Sequence, residues 1–216
     1  MTMHRRSQPT SPGFTLVELL VGVVVGGIAL ASIANVAVSH VRTTNRVTWN
    51  TQAQRDIAKI NSFLAVESRE ACAFSAAAAA PAGWTNTNTP MPTPSPCTTP
   101  PCATAAGTEL RLLVPFSTGV NAAPIPRVIR FYTALNATTG RTELRRDGPR
   151  ILINGRLDST TANDNAVLID GVNTFTTSVS ADCRTANLQL SLDVPNGGGT
   201  TPLEPITLST GVRMFS

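Results

Sequence analysis

Hydrophobic and polar positions follow two rhythms along the chain, broken by one stretch that has neither. Leu19 to Ser39 is a run of 21 residues without a charge. At ~1.5 Å per residue, a helix of that length spans about 30 Å, the thickness of a bilayer's hydrocarbon core. Beyond Val41, Ala53, Ile57, Ile60 and Leu64 recur at i, i+4, i+7 and i+11, with Arg55, Asp56, Lys59 and Asn61 filling the gaps. That is the stripe of an amphipathic helix. Neither Gly nor Pro occurs from Ile28 to Ala80. The pattern predicts a single helix from Phe14 to about Phe74, on the order of 90 Å long. Its first half, 14–41, is membrane-like, and its second half, 42–75, is suited to packing on a sheet.

From Glu109 onward the period is two. Glu109–Val114, Arg127–Thr133, Thr142–Arg146, Val167–Ile169, Val172–Ser180, Leu188–Val194 and Ile206–Phe215 read as strands. Asp147-Gly148, Asp170-Gly171 and the run Gly197 to Gly199 mark turns. A helix followed by a series of strands predicts an α+β fold, with the helix packed on a C-terminal antiparallel β-sheet over 109–216.

Segment 76–108 interrupts both rhythms. It opens with Ala76 to Ala80, continues through Trp84-Thr85-Asn86-Thr87-Asn88-Thr89, and carries prolines at 90, 92, 94, 96, 100 and 101. Proline removes a backbone donor and fixes φ, so an extended loop of polyproline character is expected. It reads either as a linker or as a surface element that meets neighbouring molecules.

Composition sharpens this division. Charged residues are 14% of the chain, against a usual ~25%. The shortfall has an address: 14–41 holds one charge, Glu18, and 71–108 holds none. The net charge of +4 is too small for charge-driven disorder, and Arg5 and Arg6 supply half of it. Arg141, Arg145, Arg146 and Arg150 are the one basic cluster, and read as a solvated hairpin face rather than a phosphate site. Nucleic acid is not an expected partner.

Chemistry is sparse. The histidines are His4 and His40, one near the N-terminus and one at the membrane edge, so no histidine-based triad is expected. No phosphate-loop or dinucleotide fingerprint appears. Asp158, Asn163, Asp164 and Asn165 lack the ordered spacing of a calcium loop and read as a turn. Asn136-Ala-Thr138 matches a glycosylation sequon. No metal site, cofactor or enzymatic activity is expected.

Four cysteines, Cys72, Cys97, Cys102 and Cys183, follow the apolar segment. An even count there suits disulfides in an oxidising compartment. Three pairings are open; Cys97 with Cys102 and Cys72 with Cys183 is the favoured one.

The segment Gly13-Phe14-Thr15-Leu16-Val17-Glu18-Leu19-Leu20 resembles the type IV prepilin signal of pilins and pseudopilins. The polar leader ends before the apolar run, the reverse of a secretory peptide. The resemblance implies that 1–13 is a leader cut between Gly13 and Phe14 by prepilin peptidase, with N-methylation of Phe14. Glu18, costly at a membrane edge, would pair with the Phe14 ammonium of a neighbouring subunit; alternatively it caps its own helix. Further on, Leu144-Arg145-Arg146, Leu168-Ile169-Asp170-Gly171-Val172 and Phe175 are similar to the PilW-type minor pilins and J-type minor pseudopilins. The resemblance implies a minor pilin anchored by one span in the inner membrane, its C-terminal part periplasmic, then moving to the pilus. Its partners would be other minor and major pilins, prepilin peptidase and the assembly platform. A type II secretion pseudopilin and a tip adhesin or DNA-uptake pilin are the alternatives.

Overall fold

A computed structural model describes residues 13, 15–84, 86–91, 95–98, 100–102, 104, 106–117, 122–158, 164–196 and 199–212. His4, Arg5, Arg6, Phe14, Asn163, Gly197, Gly198 and Phe215 lie outside the described residues. The chain divides into two units, 1–47 and 48–216. Helix α1 (Leu16–Glu70) runs through the boundary. In the first unit its apolar side chains are exposed on every side, including Leu19, Val23, Ile28 and Ile33. The helix is long and apolar enough to cross a membrane.

In the second unit, α1 buries Ala53, Ile60 and Leu64 of the predicted stripe and half-buries its fourth member, Ile57. The helix stops at Glu70, short of the expected Phe74. Ala71 N–H still donates to Glu67 O at 2.9 Å, but Cys72 N–H turns to Leu113 O at 2.8 Å. Ala73, a good helix former, is thus captured with Phe74 and Ser75 in a short strand, β1 (Ala73–Ser75). A strand edge with a ready partner outweighs a local preference of a few tenths of a kcal/mol per residue.

The strands form two sheets rather than one. The first has order β1–β2–β3–β4–β5, all antiparallel neighbours, with β2 (Glu109–Phe116), β3 (Ile125–Asn136), β4 (Arg141–Gly148) and β5 (Asp164–Asp170). The second centres on β7 (Thr185–Asn196), flanked on one edge by β6 (Val172–Val179). Its other edge takes β8 (Gly199–Pro202) and then β9 (Ile206–Gly211).

Gly171 is where the chain leaves one sheet for the other. Its φ is +77°, a left-handed conformation that costs little only for glycine. Its N–H donates to Thr142 O at 3.0 Å, in the first sheet, and its carbonyl accepts from Asp193 N–H at 2.7 Å, in the second. Gly107 ties the sheets again, exchanging two 2.8 Å backbone bonds with Thr177. A Cβ at Gly107 would collide with the Ala76 carbonyl oxygen, so only hydrogen fits.

The Pro-rich segment packs on its own domain. Trp84 and Met91 are buried. Asn86 supplies a carboxamide where β3 lacks a strand partner, its Oδ1 accepting from Val128 N–H at 2.5 Å. Arg127 donates to Thr87 O at 2.6 Å and Asn88 Oδ1 at 2.7 Å. Side chains thus replace the ladder that proline denies this stretch.

Candidate functional site

At the N-terminal end Gly13 is exposed, with open space where a Cβ would stand. Thr15 and Glu18 form a reciprocal cap. Thr15 Oγ1 accepts from Glu18 N–H at 3.3 Å, while Glu18 Oε2 accepts from Thr15 N–H at 3.0 Å and Thr15 Oγ1 at 2.9 Å. Thr-x-x-Glu before an apolar run is the capping-box pattern, satisfying donors that the first helical turn leaves without partners. In the single chain Glu18 is therefore an intrachain acceptor. Gly22, Gly26 and Gly27, further along the helix, have open space around them.

All four cysteines are paired, but not in the favoured way. Cys72 joins Cys97, with Cα atoms 5.3 Å apart, and Cys102 joins Cys183, at 5.9 Å. The consecutive prolines Pro100 and Pro101 oppose the tight closure that a Cys97–Cys102 bond would need. Each disulfide instead spends one cysteine on the loop and one on the folded frame. Those two frame positions adjoin: Phe74 N–H donates to Cys183 O at 2.8 Å. Arg184 completes the junction, donating to Cys72 O and Cys97 O, both at 3.1 Å.

The basic cluster also departs from expectation. Arg141 pairs with Asp170 at 2.7 Å and Arg145 with Glu143 at 2.9 Å, both partly exposed. Arg146 is buried, not solvated. It pairs with Glu67 on α1 and also donates to the carbonyls of Gly148 and Pro149. Glu67 is fully buried, and its Oε2 finds no partner among the described residues. Burial pushes the Glu67 carboxyl up to about 7, against the pull of the Arg146 guanidinium. No motif in the sequence singles out Glu67, yet a signal exists: it follows Ala53 and Ile60 at the same seven-residue interval. A charge in phase with an apolar stripe is a charge carried into the core.

Among the described residues no group of acidic, histidine or cysteine side chains could hold a metal ion. Asn136, the sequon residue, has its carboxamide engaged by Glu143 at 2.5 Å and by Thr138 N–H at 2.9 Å.

The prokaryotic N-terminal methylation motif matches residues 11–34. This match supports a type IV pilin or pseudopilin, processed by prepilin peptidase and held at a membrane by its apolar helix. No curated protein and no solved structure matches the chain.

Proposed function

We propose that the chain is a minor type IV pilin, a structural subunit taking part in the initiation or assembly of pilus filaments. The observation that carries this is the methylation motif over 11–34, which runs from the leader into the apolar first part of the uninterrupted helix α1. Prepilin peptidase would cut between Gly13 and Phe14 and methylate Phe14, leaving a mature chain of 203 of the 216 residues. The retained helix would anchor the subunit in the inner membrane, its strands on the periplasmic side where the two disulfides can form. On assembly Glu18 would exchange its bonds to Thr15 for the Phe14 ammonium of a neighbour, setting the register of adjacent subunits. Its partners would be other minor and major pilins and the assembly platform. A subunit of this kind works by packing, which fits a motif family of structural rather than enzymatic proteins.

Intact mass spectrometry of the protein from its native host tests the processing. A chain beginning at methylated Phe14 is expected; a chain beginning at Met1, or cut after the apolar run, overturns it. Glu18→Ala is expected to insert and be cleaved but to enter filaments poorly, read by the amount in sheared fibres. Loss of protein secretion with normal piliation in a deletion strain would move the chain to the type II secretion pseudopilins.

A further inference from the structure

In the second unit a cleft of about 150 Å³ lies beside α1, next to the crossing at Gly171. The helix brings Trp49 and Asp56 to it, β4 and β5 bring Arg141 and Asp170, and β7 brings Asp193. Buried Leu192 and Val194 supply apolar wall. Three carboxylates thus meet one cation, and that cation is already engaged. Arg141 Nη1 donates to Asp170 at 2.7 Å, and Arg141 Nη2 lies against Gly171. The carboxylates of Asp56 and Asp193 make no hydrogen bond or ion pair among the described residues. Burial raises the pKa of Asp56, and the charge of Lys59, three residues on, only partly offsets this. The fold therefore draws carboxylates partly out of water and gives them no cation in return.

Size and lining define what fits. Sites for cofactor-sized ligands run to roughly 300–1,000 Å³, so this cleft suits a single side chain. Among the described residues no acidic group is arranged to hold a metal ion. A guanidinium on an apolar stem matches the rest. The two carboxylates share its donors, Leu192 and Val194 cover its stem, and the Trp49 ring presents a face that attracts a cation.

The same chain carries cations that lack a countercharge. Arg42 and Arg46 are exposed on α1, and neither has a partner among the described residues. No acidic residue lies between Glu18 and Asp56. Four residues apart, the two arginines share a helix face, where like charges repel. A pair that opposes its own helix without local compensation points to use of the surface.

We propose that the cleft of one copy receives Arg42 or Arg46 from α1 of a second copy. The two complementary patches differ, so the contact is head-to-tail. Each joined pair keeps one cleft and one arginine pair available, and such contacts extend into a helical assembly unless the rotation closes a ring. The proposal rests on the pilin reading, which sets α1 helices side by side, but it is measured apart from processing and from Glu18.

Full-length chains carrying a donor or an acceptor dye at the C-terminus are reconstituted together in phosphatidylcholine liposomes, and energy transfer reports self-association. Transfer above random proximity is expected. Asp56→Arg with Asp193→Arg should weaken association at least about tenfold, and so should Arg42→Asp with Arg46→Asp. Mixing these two reversed chains should restore transfer, because each then offers the charge that the other needs. Asp56→Asn with Asp193→Asn, which keeps the shape of the cleft, should weaken association in the same direction and decides the matter if the reversed cleft does not fold. No transfer in the unaltered chain, or unchanged transfer in folded variants, would overturn the proposal. So would a lack of recovery on mixing, which would assign the cleft to a cation from another protein. Cleavage at Gly13 and the effect of Glu18→Ala would stand in each of these cases, and a failure of cleavage would leave this measurement untouched.

Discussion

The two sheets share an antiparallel plan and differ in what they show to solvent. On the first, Glu109 accepts from Arg130 Nε at 2.9 Å and from Arg111 Nη2 at 2.8 Å, while the Arg130 guanidinium stacks 4.0 Å over the Tyr132 ring. Arg111 and Arg130 are direct cross-strand neighbours, a repulsive pair that Glu109 neutralises. On the second, the corresponding positions are Ser, Thr, Asn and Gln. The attachments differ too. The first sheet is locked to α1 by the buried Glu67–Arg146 pair. The second is held by the Cys102–Cys183 bond, the Gly107–Thr177 bridge and the turn at Gly171. One half of the domain depends on charge, the other on covalent bonds and backbone fit. Their responses to pH, salt and reductant should therefore separate.

The largest effect expected is on the second sheet. Removing Cys102–Cys183, which spans 81 residues, should cost about 4.5 kcal/mol on the chain-entropy estimate. Removing Cys72–Cys97, which spans 25, should cost about 3.5 kcal/mol on the same basis. Denaturant melts of Cys102→Ser/Cys183→Ser and Cys72→Ser/Cys97→Ser variants measure the difference. Hydrogen exchange should show β6, β7 and β9 loosening first in the former.

Breaking the buried pair should act instead through the first sheet. Arg146→Ala leaves Glu67 buried without its cation and should cost roughly 3–5 kcal/mol, read by denaturant unfolding. The same pair makes this half sensitive to pH. Because the folded-state pKa of Glu67 is raised to about 7, its contribution to stability is fully present below the ordinary carboxylate range and is lost as pH rises through about 7. Desolvation also raises Asp56, in the same direction. Glu143, lowered by its bonds from Asn136 and Arg145, acts the opposite way and only below the ordinary carboxylate range. The melting temperature should therefore fall from about pH 5 to about pH 8, and Glu67→Gln should flatten most of that slope. An unchanged slope in Glu67→Gln would remove Glu67 as its source.

Smaller effects test the junction and the faces. Gly171→Ala forces a side chain into the left-handed region and should cost about 1–2 kcal/mol, with equilibrium melting as the measure. The new Cβ would also displace Arg141 Nη2, which crowds that position but sits at the free end of a flexible side chain. On the outer faces, Arg130→Ala should lower stability by up to about 1 kcal/mol and less in high salt. Gln189→Ala should change it by less than about 0.5 kcal/mol at any salt.

Local signals made much of this legible. An uncharged run long enough to cross a membrane, a stripe at Ala53, Ile60 and Leu64, and period two from Glu109 each express the geometry of one element. They can be read without knowing its neighbours. The N-terminal motif is contiguous and is equally local. What stayed hidden depends on residues far apart in sequence. Leu113 decides that 73–75 is a strand, because it offers the carbonyl that captures Cys72. The phase of Glu67 with Ala53 and Ile60 is local, but its cation is not: Arg146 lies 79 residues away in sequence.

Local patterning was thus enough to define the membrane-length helix, most of the strands from Glu109 onward but not β1 or β8, the N-terminal signal and the presence of four cysteines. Where the helix stops, which cysteines meet and how the strands divide between two sheets came only with the folded arrangement. So did the placing of the neutral groups of β6, β7 and β9 side by side. The reason is common to all four. Periodicity encodes which face of an element turns inward, while pairing and register come from long-range contacts whose closure entropy and geometry no local window contains.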